Sequence, residues 1–214
     1  MTQETKDRIL DAAEQLFGEQ GVSGVSLRTI TTAAEANLAA VNYHFGSKEG
    51  LIKAVLIRRI QPVNAERLAK LDALEAADAT PELEPILDAF LRPAFDLSAD
   101  PERGDFCAKL VGRVQAEAGP TFREVVHEQF QEIVARFTAA IARACPHLER
   151  HDLMWRFQFM VGAMAFTMTD STDLFERSGG GCDPRSSEDA TTQLVQFAAT
   201  GFRAPVLANQ ENAS

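Results

Sequence analysis

Apolar positions recur along most of this chain every three to four residues, the period of an α-helix. Ile9, Ala13, Leu16 and Phe17 share the inner face of a helix predicted from Thr5 to Glu19, and Gly21 ends it. Two short helices follow. Leu27, Ile30 and Ala34 lie three and four residues apart in the first, and Leu38, Val41 and Phe45 repeat that spacing in the second. Glu35 to Asn37 form the turn between them, with Ser26 and Asn37 as expected N-caps. Ser47 caps a fourth helix reaching about Leu74, which Pro62 is expected to kink or interrupt. Thr80-Pro81 starts a fifth, with Pro93 bending it before Leu97. Further helices are predicted over 105–118, 119–144, 149–169 and 186–203, with a glycine-rich loop at 178–187. The expected fold is all-α with about nine helices: an N-terminal three-helix unit with a helix-turn-helix (1–52), a C-terminal helical bundle (53–205) and a flexible tail (206–214).

Composition narrows the class. The 214 residues include 14 Phe but one Trp and one Tyr, and helix formers dominate. The longest apolar run, Phe159 to Phe166, is far short of the ~20 residues a bilayer requires, so no membrane role is expected. Residues at the start of the chain form no signal-like apolar region, and Cys107, Cys145 and Cys182 are few and far apart, which predicts a reducing cytoplasm. The formal charge is -10, but residues 1–60 hold 7 basic and 7 acidic groups. The acidity therefore lies wholly outside the N-terminal unit, which is neutral rather than basic.

Burying the 27/30/34 and 38/41/45 stripes leaves Ala39, Ala40 and Tyr43 outward, with Asn42 and His44 on the flanks. Small and polar groups on an exposed helix behind a tight turn suit a DNA major groove. The same stretch resembles the N-terminal domain of tetracycline-repressor-type (TetR-type) transcriptional regulators. The residues carrying the resemblance are Thr29, Ala33, the run Ala40-Val41-Asn42-Tyr43-His44-Phe45, Ser47-Lys48 and Leu51. The upstream helix Arg8 to Phe17 with Gly21 fits as well. The resemblance covers about residues 6–55. It implies an all-helical dimer that binds operator DNA and senses a small molecule with the rest of the chain.

Roles follow for individual residues. Arg28 and Thr29 are placed to reach phosphate or a base edge, and Asn37 to donate at the start of the recognition helix. Ala39 and Ala40 would pack on thymine methyl groups. Asn42, Tyr43 and His44 would donate to phosphates, and Lys48 would add charge at a helix N-terminus. Leu38, Val41 and Phe45 are read as core.

The second half resembles the fatty-acid-responsive branch typified by the PsrA regulators, through Phe106-x3-Leu110-x-Gly112 and the run from Trp155 to Phe166. Phe90, Phe95, Phe106, Leu110, Val114, Phe130, Val134, Phe137, Phe157, Met160 and Met164 fall on inward helix faces. Phe and adaptable Met together suit a small apolar effector, a fatty acid or acyl-CoA. Taken singly, each of these is more often a plain core residue than a pocket-lining one. Arg92, Arg113, Arg123 and Arg156 are candidates to pair with an acidic head group. A homodimer is expected through the eighth and ninth predicted helices, 149–169 and 186–203, using Met164, Ala165, Met168, Leu194, Phe197, Ala198 and Phe202. The function expected is a ligand-responsive repressor that binds palindromic DNA and lets go when its effector binds. The alternative is a helical small-molecule-binding or interaction protein with no DNA role.

Enzyme chemistry finds little support. His147 and His151 have the i, i+4 spacing of a metal pair, but no glutamate follows His147 and no third ligand is evident. The cysteines lack a CxxC or histidine partner. Gly179-Gly180-Gly181 has neither the following Lys-Ser/Thr nor the preceding strand of a phosphate loop. No cofactor or metal is expected.

Overall fold

The structure, a computed structural model, describes residues 2–78, 80–100, 119–169 and 171–206. Among them it is all-α, without a strand. The helices are α1 (Gln3–Gln20), α2 (Leu27–Ala33), α3 (Leu38–Phe45), α4 (Lys48–Ala77), α5 (Leu83–Ala99), α6 (Gly119–Ala144), α7 (Arg150–Thr169), α8 (Ser171–Arg177) and α9 (Ser187–Arg203). The helix expected over 105–118 lies outside the described residues. The eighth and ninth predicted helices correspond to α7 and α9. The seven-residue α8 carries too little periodic pattern to be seen in the sequence.

The chain forms two compact units, one from residues 1–66 and 96–132 and the other from 67–95 and 133–214. In the first, α1 contributes Ile9, Ala13 and Phe17 to a core that also holds Ile30 and Ala34 of α2, Ala40 and Val41 of α3, and Leu51, Val55 and Leu56 of α4. Val125 of α6 is fully enclosed in the same core. Glu14 is buried and paired with Arg59, while Asp11 accepts from Arg58 at 2.6 Å. Two consecutive arginines of α4 are thus pinned to acids one turn apart on α1. Breaking the buried Glu14–Arg59 pair from one side would leave an uncompensated charge.

Local chemistry sets the short helices. Ser26 Oγ accepts the Thr29 N–H at 3.1 Å and Asn37 Oδ1 accepts the Ala40 N–H at 2.9 Å, so both expected caps are present. Ser47 Oγ accepts the Gly50 N–H at 3.1 Å. The α2 helix ends in a Schellman arrangement: the Ala36 N–H bonds Thr31 O at 2.9 Å and the Glu35 N–H bonds Thr32 O at 3.3 Å. Glu35 takes the left-handed φ of 48° that this motif usually gives to glycine.

The α4 helix runs through Pro62 without the interruption that was one of the two effects expected there. Proline removes one backbone donor, and buried positions on both sides, Val55 and Leu56 before it and Arg67 and Leu71 after it, keep the helix in place. Beside it, Asn64 Nδ2 donates to the Gln129 carbonyl at 2.7 Å. The α5 helix likewise continues through Pro93. It starts at Leu83 rather than Thr80, because Asp78 Oδ1 accepts the Thr80 N–H at 2.9 Å and holds that stretch in a turn.

In the second unit the rings of Phe90, Phe137 and Phe157 meet around a core that includes Ile86, Leu87, Ile141 and Phe202. Its polar periphery is cross-linked. Glu75 accepts from Arg136 at 2.8 Å and also pairs with Arg143, and Asp72 accepts from Arg136 at 2.6 Å. Partial burial pushes the Glu75 carboxyl up, but the hydrogen bonds from Arg136 and Arg143 outweigh it and hold the group below its usual range. A carboxyl depressed on folding stabilises fully above its unfolded pKa, and that stability disappears as pH falls through the folded value. Glu75→Gln should therefore cost about 1 kcal/mol or less at pH 7, and the deficit should vanish once acid has protonated the wild-type group. Urea denaturation read by Trp155 fluorescence at pH 7 and pH 3 measures both. An unchanged deficit at pH 3 would show that the pair contributes packing and not charge.

Candidate nucleic-acid interface

The α3 helix presents a clear exposed face, but not the one read from its apolar residues. Tyr43 is 71 % exposed, and Asn42 and Ala39 are exposed as well. Leu38, expected in the core, is 44 % exposed, whereas Ala40, expected on the DNA side, is 2 % exposed within the core of its unit. Two stripes compete on an eight-residue helix. The larger side chains mark 38/41/45, while the fold buries 40 and 41 and half-buries 44 and 45. Ala40 takes the inward position because its single methyl lets the α3 backbone lie close to its neighbours, which an isobutyl group would prevent. The outward set is Leu38, Ala39, Asn42 and Tyr43. A thymine contact by Ala40 is therefore withdrawn.

The flanking candidates fall into place around this face. Arg28 and Thr29 are exposed at the start of α2. The Thr29 hydroxyl shares a 2.8 Å hydrogen bond with Ser26 Oγ, so part of its role is in the cap. The Asn37 oxygen is likewise occupied by the Ala40 N–H, which leaves its amide hydrogens as donors. His44 differs from expectation. It is half-buried, its Nε2 is enclosed without a protein partner, and its ring meets Tyr43 edge-on at 4.9 Å. An enclosed Nε2 is not placed to donate to a phosphate, and the ring packs against those of Tyr43 and Phe45. Lys48 is half-buried, and its Nζ donates to the Val22 carbonyl at 2.6 Å. That bond ties the start of α4 to the loop before α2 and uses one of three ammonium donors.

The apolar candidates of the second half divide. Phe90, Phe95, Phe137, Phe157, Met160 and Met164 are buried in the second unit, with Phe90 5.2 Å from both Phe137 and Phe157, ring centre to ring centre. Phe130 and Val134 are half-buried, and Phe130 belongs to the first unit. Phe106, Leu110 and Val114 lie outside the described residues, as does Arg113. The other arginine candidates are engaged. Arg92 is held by Asp88 and Glu188, whose hydrogen bonds raise its pKa. Arg156 donates to the carbonyls of Gly201, Phe202, Ala204 and Pro205 and so caps α9. The side chain of Arg123 is not described.

The buried cation of this region is one the sequence reading missed. Arg67 is 2 % exposed; its Nε donates to the Phe90 carbonyl at 2.7 Å and its guanidinium lies 4.3 Å from the Phe90 ring centre. Its Nη2 is 3.6 Å from the Met164 sulfur. Burial pulls its pKa down to about 10, still charged at neutral pH. The signal was present: Asn64, Arg67 and Leu71 are spaced three and four apart, a buried stripe disguised by two polar residues.

The α7 and α9 helices pack on each other. Met164, Leu194, Ala198 and Phe202, expected at an interface between copies, are buried within the protomer instead. The exposed apolar line is Trp155, Phe159 (64 %), Gly162 and Phe166, at intervals of four, three and four, with Phe197 (72 %) on α9. Open space surrounds the Gly162 and Gly201 Cα atoms. Ala165 is exposed and Met168 half-buried. His147 and His151 are both exposed, and among the described residues no three His, Cys, Asp or Glu side chains gather as metal ligands. No described helix is long and apolar enough to cross a membrane.

Comparison with known proteins agrees with this geometry. Residues 9–55 match the family model described as bacterial regulatory proteins, tetR family, and residues 88–201 match the tetracyclin repressor-like C-terminal domain. The transcriptional regulator SrpR of Pseudomonas putida is 29 % identical over 147 residues, covering 68 % of this chain and 61 % of its own. The transcriptional repressor NicS of the same species is 38 % identical over 80 residues, 37 % of this chain and 38 % of its own. The matched stretches thus span less than two thirds of these relatives. Among solved structures, the fatty acid degradation regulator FadR of Bacillus halodurans superposes with a TM-score of 0.70 at 15 % identity, over 95 % of this chain and 98 % of its own. FadR of Bacillus subtilis in complex with stearoyl-CoA gives 0.70 at 13 % identity, over 92 % and 98 %. At these identities the superpositions establish the fold alone.

Proposed function

The chain belongs to the TetR family of bacterial regulatory proteins, and on that premise we propose that it is a dimeric, effector-responsive repressor of transcription. Residues 1–52 bind operator DNA and 53–205 sense the effector and dimerise, with 206–214 a tail. The observation that carries the reading is the outward face of α3. A helix whose other side is locked in a core, and whose start is capped by Asn37, holds Tyr43 and Asn42 in solvent for no purpose internal to the fold. Arg28, Thr29, Asn37, Asn42, Tyr43 and Lys48 serve as phosphate and base-edge donors. The neutral charge of this unit makes each of these few donors count, and makes two copies on a palindrome necessary. The second copy docks through the exposed line of α7 and α9.

The effector is a long acyl chain with an acidic head, a fatty acid or acyl-CoA. The Phe90–Phe137–Phe157 cluster with Met160 and Met164 supplies adaptable apolar surface, Arg67 adds a charge within it, and a protein of the same fold carries stearoyl-CoA. The α4 and α6 helices each carry chain from one compact unit into the other, so a rearrangement of the sensor is passed on without a new contact. The effector must bind the released state more tightly, by about 1–3 kcal/mol, to act as a switch. The protein works in the cytoplasm and catalyses no reaction.

The test is a binding titration of the protein on duplex DNA from upstream of its own gene, repeated from 50 to 200 mM salt and then with stearoyl-CoA. Saturable binding that weakens with salt, that Tyr43→Ala reduces, and that stearoyl-CoA reverses is expected. Binding unaltered by any acyl-CoA would remove the effector class. Failure to bind any duplex would remove the regulator reading itself.

A further inference from the structure

A single exposed leucine normally requires no explanation. Leu38 is different because of where it stands. It is the first residue of α3 after the Asn37 cap, beside Ala39 and one turn before Asn42, on the face that carries Tyr43. The same helix encloses the smaller Ala40 and leaves this larger apolar group in water. The residues at the N-terminal end of a recognition helix are the ones that reach base edges in the major groove. Leucine has neither donor nor acceptor. Against an adenine, guanine or cytosine edge it would strip water from polar atoms and return nothing. The thymine 5-methyl group is the one major-groove feature it can favour.

We infer that Leu38 reads a thymine methyl group in each operator half-site, with Ala39 making a smaller contact alongside. The inference rests on the DNA-binding reading above and adds the base feature that is recognised. A two-fold symmetric dimer makes the contact twice, at symmetric positions. Burying one methyl group is worth about a 4-fold change in affinity, so losing both copies costs about 15-fold.

Uracil tests this cleanly, since it differs from thymine by that methyl alone. Operator duplexes are first selected from a random library with the full-length protein. Each symmetric thymine pair is then replaced by deoxyuridine, and affinity is measured by fluorescence anisotropy for wild type, Leu38→Ala and Leu38→Gln. One symmetric pair should lower wild-type affinity about 15-fold on substitution. The penalty should fall below about 2-fold in Leu38→Ala, and selection with Leu38→Gln should move away from thymine there. Circular dichroism checks that both variants keep the wild-type helix content; if Leu38→Ala does not, Leu38→Gln carries the comparison. Indifference of the wild type to every uracil, or an undiminished penalty in the variants, overturns the inference and leaves the regulator reading standing. Selection that enriches no duplex at all overturns both, and is distinguished by the absence of binding rather than of discrimination.

Discussion

Phe159→Glu should convert the protein to a monomer and weaken operator binding at least about 100-fold while leaving the protomer folded. Phe159 sits in the middle of the line Trp155, Phe159, Gly162 and Phe166 on α7, and its ring lies 5.5 Å from that of Trp155. The spacing of four, three and four is that of a helix seam made for another helix. Gly162, with open space where a side chain would stand, lets the partner approach closely. Burying a phenylalanine at such a seam contributes about 1.5–3 kcal/mol, and two-fold symmetry doubles it. Removing both rings therefore costs roughly 3–6 kcal/mol, a factor of about 10² to 10⁴ in the dimer constant, before any penalty for burying two carboxylates. The protomer is spared because this side chain lies outside its core. DNA binding falls with the dimer, since one recognition helix on one half-site lacks the second copy that operator affinity requires. Light scattering during gel filtration reports the mass, and anisotropy on the selected operator reports the affinity. A Phe159→Glu protein that remains dimeric, or binds within about 3-fold of wild type, would place the interface elsewhere. The contrast is Phe202→Glu: that residue is enclosed within the protomer, so the same charge should unfold the second unit rather than divide a dimer.

The two outcomes also mark what could be read from the chain. Helix content, the turn at 35–37, both short-helix caps and the inward faces of α1 and α2 follow from periodicity and capping residues, because these are local and each repeats its signal within a few residues. The exposed line on α7 was missed for a different reason. The α7 helix is apolar around most of its circumference, so its sequence names no preferred side. Which of Phe159 and Met164 faces inward is decided by α9, a neighbour some thirty residues away in sequence. Arg67 and Asn64 escaped because polarity was taken as exposure. A guanidinium lying over a ring, bonded to a carbonyl and packed on a thioether, meets the conditions under which a charge can stay inside, and none of those partners is near it in sequence. Pro62 does not end its helix, since the loss of one hydrogen bond is smaller than the packing on either side of it, and Pro93 lies inside α5 where the sequence places it.

The phase of α3 is the error with the greatest consequence for function, and adjacent substitutions measure it. Ala40→Gln should destabilise the first unit by about 2–6 kcal/mol, whereas Ala39→Gln should cost less than about 0.5 kcal/mol. The Ala40 methyl sits in the core with Val41, Ile30 and Phe17. Adding four heavy atoms there overpacks the site, at about 1–3 kcal/mol, and encloses an amide with no partner, at about 1–3 kcal/mol more. Against a total stability of about 5–15 kcal/mol that loss is a large fraction, and it raises the open population of the unit by at least about 30-fold. Ala39 faces solvent, so glutamine there meets only its small helix-propensity cost and gains a reach toward base edges. Hydrogen exchange over peptides from 3–60 separates the first unit from the rest, and anisotropy on the selected operator gives the functional cost. Ala40→Gln should exchange fast and bind weakly. Ala39→Gln should exchange as wild type does and change which operators it prefers. If Ala40→Gln proved as protected as Ala39→Gln yet lost operator affinity, Ala40 would face the duplex after all. The outward set would then return to Ala39, Ala40 and Tyr43, and Leu38 would return to the core.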